Sequence, residues 1–202
     1  MNIYIADKLP PQAIEDLNKL GVNVDNNPGA SSGDLDKGLK KADALIVRST
    51  VVSEKCIKNS PNLMLIIRAG AGVNNIDIKA ASNFGIYVAN CPGKNSIAVA
   101  ELTMALILSL DRYLPENVND FHKGKWNKAA YSKADGIFGK ALGVVGTGQI
   151  GQEVIKRAKS FGMPVVAWSR SLTHQKADEL GVTYAKSVEQ LASACDVLSV
   201  HL

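Results

Sequence analysis

The chain has 202 residues, 46% of them apolar and 21% charged, which supplies a core and excludes a disordered segment. Its 23 basic and 19 acidic side chains leave a formal charge of +4 spread along the sequence, too mild for a nucleic-acid or anionic-lipid partner. The longest apolar run, MALILSL at 104–110, is far short of the ~20 residues of a membrane span.

Asp7 and Pro10 interrupt the N-terminus before a signal-peptide core forms. Residues 2–6 (NIYIA) read as a strand, and Pro10 and Pro11 open a helix with Ile14, Leu17 and Leu20 on one face, stopped by Gly21. VNVD at 22–25 is a second strand, followed by a polar loop and a modest helix, DLDKGLKKA, at 34–42. ALIVR at 44–48 and LMLIIR at 63–68 are continuous apolar runs, as expected of strands buried on both faces of a parallel sheet. IYVAN at 86–90 makes a fifth strand. Repeated strand–helix–strand units of this length predict a doubly wound α/β fold.

The texture changes at Asn95. Residues 96–110 are apolar nearly all round, which predicts a helix buried between layers, domains or subunits. Glu101 within it is expected to be a hydrogen-bonded structural acid. Residues 111–140 carry Tyr113, Phe121, Trp126, Tyr131 and Phe138 in a lysine-rich stretch. Without an arginine cluster, these aromatics suit an arm packed on a second subunit better than a nucleic-acid surface. The alternation then resumes, with strands at 141–146, 164–169 and 196–202, a weaker one in VTYA, and helices between them. The last strand, DVLSVHL, has nothing after it to cover its edge, so the sequence reads as the front part of a longer protein.

Gly146-Thr147-Gly148-Gln149-Ile150-Gly151 is a GxGxxG between a predicted strand and a predicted helix, the context in which that motif binds a dinucleotide. Gly146 permits the tight turn and Gly148 lets a diphosphate approach the backbone. Gly151 brings the helix close to the strand, so that its free amides face the anion. The acid that reads the ribose about 20 residues on is missing: no Asp or Glu occurs from 154 to 177, and the strand ends Trp168-Ser169-Arg170-Ser171. Arg170 suits a 2′-phosphate and hence NADP. Alternatively Arg170 stacks on the adenine while Ser169 meets the ribose hydroxyls of NAD.

Arg48 and Arg68 end two buried strands, where ligands of parallel sheets sit. Beside Gly70, Ala71 and Gly72 they suit a small dianion such as a phosphorylated carboxylate, unless they are consumed by Asp43 or Asp77. Cys56, Cys91 and Cys195 are odd in number and widely spaced, which favours reduced thiols in the cytoplasm over a disulfide frame or zinc site. His122, His174 and His201 bring no acid–base pair with them, and the sequence shows no nucleophile–base or metal spacing.

The runs VRSTVVSEK, IIRAGAGVNNIDIKAA, GIYVANCPGKNSIAVAELTMALILSL and GKALGVVGTGQIGQEVIKRAKSFGM resemble the D-isomer-specific 2-hydroxyacid dehydrogenases. The nearest branch looks like the one acting on 3-phospho-D-glycerate, whose product leads into serine synthesis. The resemblance implies an α/β chain with a flavodoxin-like substrate domain over 1–95 (its N-terminal part). An incomplete Rossmann dinucleotide-binding domain would follow over 96–202, with a hinge helix and dimer arm. It implies that Arg48 and Ser49 recognise a substrate phosphate, that Gly70, Ala71 and Gly72 hold the carboxylate, and that Arg68 and Asn95 make further substrate contacts. Ala71 would also approach the nicotinamide, Gln149 and Ile150 the diphosphate, Ser169 the ribose, and His201-Leu202 would form a turn over the cofactor. Two positions depart from the family pattern: WSRS replaces an aromatic-Asp pair, and Asn74 stands where Asp is common. The family's catalytic arginine, glutamate and histidine would all lie beyond Leu202. The partners implied are a small anionic 2-hydroxy or 2-keto acid, NAD or NADP, and a second copy of the chain. A glyoxylate or hydroxypyruvate reductase of the same family is the alternative enzyme. A non-catalytic dinucleotide-sensing module is the alternative of another class.

Overall fold

Residues 1–202, apart from the side chain of Ser32, are described by a computed structural model, in which the chain divides into two units, Met1–Lys94 and Asn95–Leu202. In the first, the apolar runs become strands β1 (Asn2–Ile5), β2 (Asn23–Asn26), β3 (Ala44–Val47), β4 (Leu65–Arg68) and β5 (Tyr87–Ala89). All pair in parallel, in the order β2-β1-β3-β4-β5, the flavodoxin-like order. Every residue of β3 is buried. Leu45 and Val47 join one core with Leu35, Ile57 and Ile66, while Ala44 and Ile46 join another with Ile3 and Ile5. A strand covered on both faces has no wet side, and this is why its sequence does not alternate.

Helices α1 (Pro11–Lys19), α2 (Ser32–Gly38), α3 (Glu54–Lys58) and α4 (Ile78–Asn83) connect these strands. The second helix begins earlier than its apolar pattern suggests. Ser31 and Asp34 form a capping box, with the Asp34 amide donating to Ser31 Oγ and the Ser31 amide to the Asp34 carboxylate, so the start is set by the cap. The fourth strand begins later than its apolar run, because the Leu63 amide turns back to the Ser60 carbonyl.

The second unit begins with α5 (Ser96–Asp111), α6 (Leu114–His122) and α7 (Lys128–Tyr131), followed by β6 (Leu142–Val145), α8 (Gln149–Ser160), β7 (Val165–Trp168) and α9 (His174–Leu180). Strand β8 (Thr183–Tyr184), α10 (Val188–Ser193) and β9 (Val197–Val200) complete it. Its parallel sheet runs β8-β7-β6-β9, which is the 3-2-1-4 portion of the Rossmann order. Ala100, Met104 and Ile107 of α5 pack with Val154, Ile155 and Ala158 of α8 and with Leu142 and Val144 of β6.

That packing accounts for one side of the apolar helix. Only one side of α5 is buried; Ile97, Leu102, Leu106 and Leu110 are 55–77% exposed. Glu101, expected to be a hydrogen-bonded structural acid, is exposed and faces Arg157 of α8 at 3.6 Å as an ion pair. Helical periodicity turns the two sides of an all-apolar helix in opposite directions, and α8 covers one of them. The arm beyond it keeps Phe121, Trp126 and Phe138 exposed. No helix among the described residues is long and apolar enough to cross a membrane.

Candidate functional site

In the first unit, the candidate residues lie where β1, β3, β4 and β5 end. Asp7, just after β1, accepts the amides of Arg48, Ser49 and Thr50 through Oδ2, at 2.7, 3.0 and 3.0 Å. Consecutive amides converging on one oxygen form an anion nest. Burial alone would raise the Asp7 carboxyl, but the three amides and the Thr50 hydroxyl outweigh it and hold its pKa below the ordinary carboxylate value. Asp7 bridges β1 and β3, neighbours in the sheet but not in sequence, and in an open α/β sheet this is the switch point where ligands gather.

Arg48 and Ser49 are exposed, whereas Arg68 is half-buried. Neither arginine forms a salt bridge among the described residues. Asp43 instead accepts the Asn2 amide at 2.7 Å, and Asp77 caps α4 by accepting the Ala80 amide at 2.9 Å. Arg68 Nε donates to the Arg48 carbonyl at 3.1 Å, and its guanidinium lies where a Cβ on Gly70 would be. Glycine at position 70 is therefore what leaves room for that cation.

The loop at 70–72 is braced from the end of β5. The Gly70 carbonyl accepts the Cys91 amide at 2.9 Å, and the Ala71 carbonyl accepts Asn90 Nδ2 at 2.6 Å. Asn75 Nδ2 donates to the Thr50 carbonyl at 2.7 Å and Val52 pairs with Ile76, so the loops after β3 and β4 are laced together. The structure thus joins Arg48, Ser49, Arg68 and Gly70 through Ala71 in one region. Asn95 begins the second unit, exposed, as the N-cap of α5 with no side-chain capping bond. Asp7, Asn75 and Asn90 escaped sequence reasoning; the one usable signal was an acid immediately beyond the first strand.

In the second unit the glycine turn links β6 to α8. Gly146 has φ +98°, in the left-handed region, and a Cβ there would run into the His201 carbonyl. A Cβ on Gly151 would run into the Gly146 carbonyl. Both glycines are demanded by the protein's own packing. Gly148 is different. Its φ of −71° suits any residue, and a Cβ there would meet nothing within 4 Å. The space beside Gly148 is open, and the first turn of α8 carries no acidic residue. Helix N-terminal amides with a bare glycine before them and no carboxylate nearby fit a diphosphate.

Thr147 is buried, and its hydroxyl lies 2.8 Å from that of Ser169. Gln152 Nε2 holds the Thr147 carbonyl at 3.0 Å, and the Gly146 amide donates to the Trp168 carbonyl at 2.8 Å. Ser169 is therefore brought against the glycine turn, with Arg170 exposed beside it and outside every salt bridge among the described residues. Gln149 is exposed and Ile150 half-buried at the start of α8. His201 is half-buried; its amide donates to the Val145 carbonyl at 2.7 Å, and its Nε2 lies 2.8 Å from Ser199 Oγ. Burial lowers its imidazole pKa. Leu202 is 92% exposed.

Residues 3–199 match the family model for D-isomer specific 2-hydroxyacid dehydrogenase, catalytic domain. The chain is 37% identical over 203 residues to D-3-phosphoglycerate dehydrogenase of Methanocaldococcus jannaschii, a match covering 100% of this chain and 38% of that protein. It therefore spans 38% of the length of that curated relative. Among solved structures, the cofactor (NAD+)-bound 3-phosphoglycerate dehydrogenase of Entamoeba histolytica matches at a TM-score of 0.79 and 30% identity, over 100% of this chain and 62% of that one. An acyclic imino acid reductase in complex with NADPH and D-Arg matches at 0.86 and 26% identity, over 100% and 65% respectively.

Proposed function

The chain belongs to the D-isomer specific 2-hydroxyacid dehydrogenase family, and from that premise we propose that its protein interconverts 3-phospho-D-glycerate and 3-phosphooxypyruvate. The observation that carries the choice of substrate is the pair of arginines at the ends of β3 and β4, neither in a salt bridge among the described residues. Two cations held in one laced loop region match an acid that carries both a carboxylate and a phosphate. The relatives named D-3-phosphoglycerate dehydrogenase and 3-phosphoglycerate dehydrogenase support the same reading.

In this reading the Arg48 guanidinium and Ser49 hydroxyl hold the phosphate, while the backbone from Gly70 through Gly72 and the Arg68 guanidinium hold the carboxylate. Oxidation removes a hydride from the hydroxyl-bearing carbon and a proton from its oxygen. A nicotinamide dinucleotide, when bound, supplies the acceptor for that hydride. The amides at the start of α8 hold its diphosphate beside Gly148, and Ser169 and Arg170 meet the ribose. His201, close to Ser199, forms with Leu202 the turn over the cofactor.

NADP is the preferred form in this proposal. Arg170 supplies a cation at the end of β7, and the sequence has no Asp or Glu from 154 to 177 to repel a 2′-phosphate. Arg170→Ala is expected to weaken NADPH binding about tenfold with little effect on NADH; an unchanged ratio contradicts the NADP reading. A second copy of the chain covers the apolar residues Leu102, Leu106 and Leu110 of α5 and Leu114, Val118 and Phe121 of α6, all exposed here. Light scattering that gives a monomer contradicts that part.

The substrate is tested with Arg48→Ala. KM for 3-phosphoglycerate is expected to rise at least about tenfold, while KM for unphosphorylated glycerate stays within about twofold. Equal losses for the two acids contradict a phosphate role for Arg48.

A further inference from the structure

The three amides that converge on Asp7 change how the loop after β3 can meet an anion. A nest of consecutive N–H groups at the end of a parallel strand is a ready receptor for a phosphate oxygen. Here Asp7 Oδ2 already takes the amides of Arg48, Ser49 and Thr50. The carboxylate also lays a negative charge against the floor of the loop. A second anion seated on the same amides would meet that charge at close range. The loop is left with its side chains alone for binding, the guanidinium of Arg48 and the hydroxyl of Ser49, both exposed.

The Arg48 peptide is gripped on both sides. Its N–H goes to Asp7 at 2.7 Å and its carbonyl receives Arg68 Nε at 3.1 Å. Thr50 is tied in turn by its amide to Asp7 and by its carbonyl to Asn75. The exposed arginine therefore projects from a backbone whose polar groups are fixed from three elements. We propose that Asp7 is a positioning residue for substrate recognition: it fills the amide nest with an internal anion and thereby aims the Arg48 side chain at the substrate's phosphate. This rests on the reading that Arg48 binds that phosphate. Asp7 itself touches neither substrate nor cofactor; its effect passes through Arg48.

The test uses the full-length protein with Asp7→Ala, Asp7→Asn and Arg48→Ala, and follows kcat and KM for 3-phosphoglycerate and for glycerate. In both Asp7 variants, KM for the phosphorylated acid is expected to rise about tenfold, with kcat and the KM for glycerate within about twofold. A purely structural role would raise both KM values together or leave both unchanged, and either result overturns the proposal. Should Asp7→Ala fail to fold, Asp7→Asn carries the test, because its amide oxygen keeps one acceptor in the nest. If Arg48→Ala separates the two substrates and the Asp7 variants do not, the positioning role falls while the phosphate reading stands. If Arg48→Ala does not separate them, that reading falls and the role of Asp7 with it.

Discussion

Two backbone devices of the same chemistry sit at the ends of parallel strands in this chain, and they have opposite fates. After β3, three successive amides are satisfied internally by Asp7. After β6, the amides that open α8 stand beside a bare Gly148, with no acidic side chain in the first turn. A convergent set of N–H groups is thus not in itself a ligand site; what matters is whether the protein supplies its own acceptor. The filled nest stiffens a loop so that its side chains can act. The open one has no acceptor side chain of its own in the first turn of α8.

The largest expected effects fall on the glycines that the packing demands. Gly146→Ala forces a side chain into the left-handed region and against the His201 carbonyl. Strain of about 1–3 kcal/mol and overpacking of similar size should appear as a marked loss of soluble protein and a lower Tm. Gly148→Val should do the reverse: Tm stays close to that of the parent, because a Cβ meets nothing within 4 Å, while affinity for NADH and NADPH drops at least about tenfold. A Gly148→Val protein that binds dinucleotide normally would erase the difference between the two turns.

Asp7 sharpens the contrast through pH. Its folded pKa is depressed, so its contribution is complete above the ordinary aspartate value of ~4 and is lost as pH falls through the lower folded value. Charge-assisted bonds to a partly exposed carboxylate set this at about 1–2 kcal/mol. Urea melts from pH 7 down to 3 should show a steeper acid limb in the parent than in Asp7→Asn; parallel limbs contradict the role of the charge. His201 gives the smallest effect. Burial lowers its folded pKa, so the unfolded chain takes up the proton first and stability declines slightly as pH drops below ~6.5. That decline should vanish in His201→Asn.

Much of the architecture was readable because its signals are local. Continuous apolar runs marked β3 and β4, and a glycine motif between a strand and a helix marked the turn. The nearness of Arg48 and Arg68 followed from their places at the ends of neighbouring strands. What escaped was long-range. Asp7 looks like any polar residue after a strand, since its partners lie 41–43 positions away. Nothing near Glu101 in sequence announces Arg157 on a neighbouring helix. An all-apolar helix such as α5 records that both sides can be buried, not which neighbour buries each. The hydroxyl contact between Thr147 and Ser169 likewise depends on β6 and β7 lying side by side, which neither segment encodes alone.

The contrast between the two amide sets is most directly tested by backbone amide NMR of the protein during titration with ADP, which carries the diphosphate without the nicotinamide. The amides of Gly148, Gln149 and Ile150 should move progressively with added ADP, while those of Arg48, Ser49 and Thr50 stay in place. Movement of the second group without the first would contradict the assignment of the open turn as the diphosphate site.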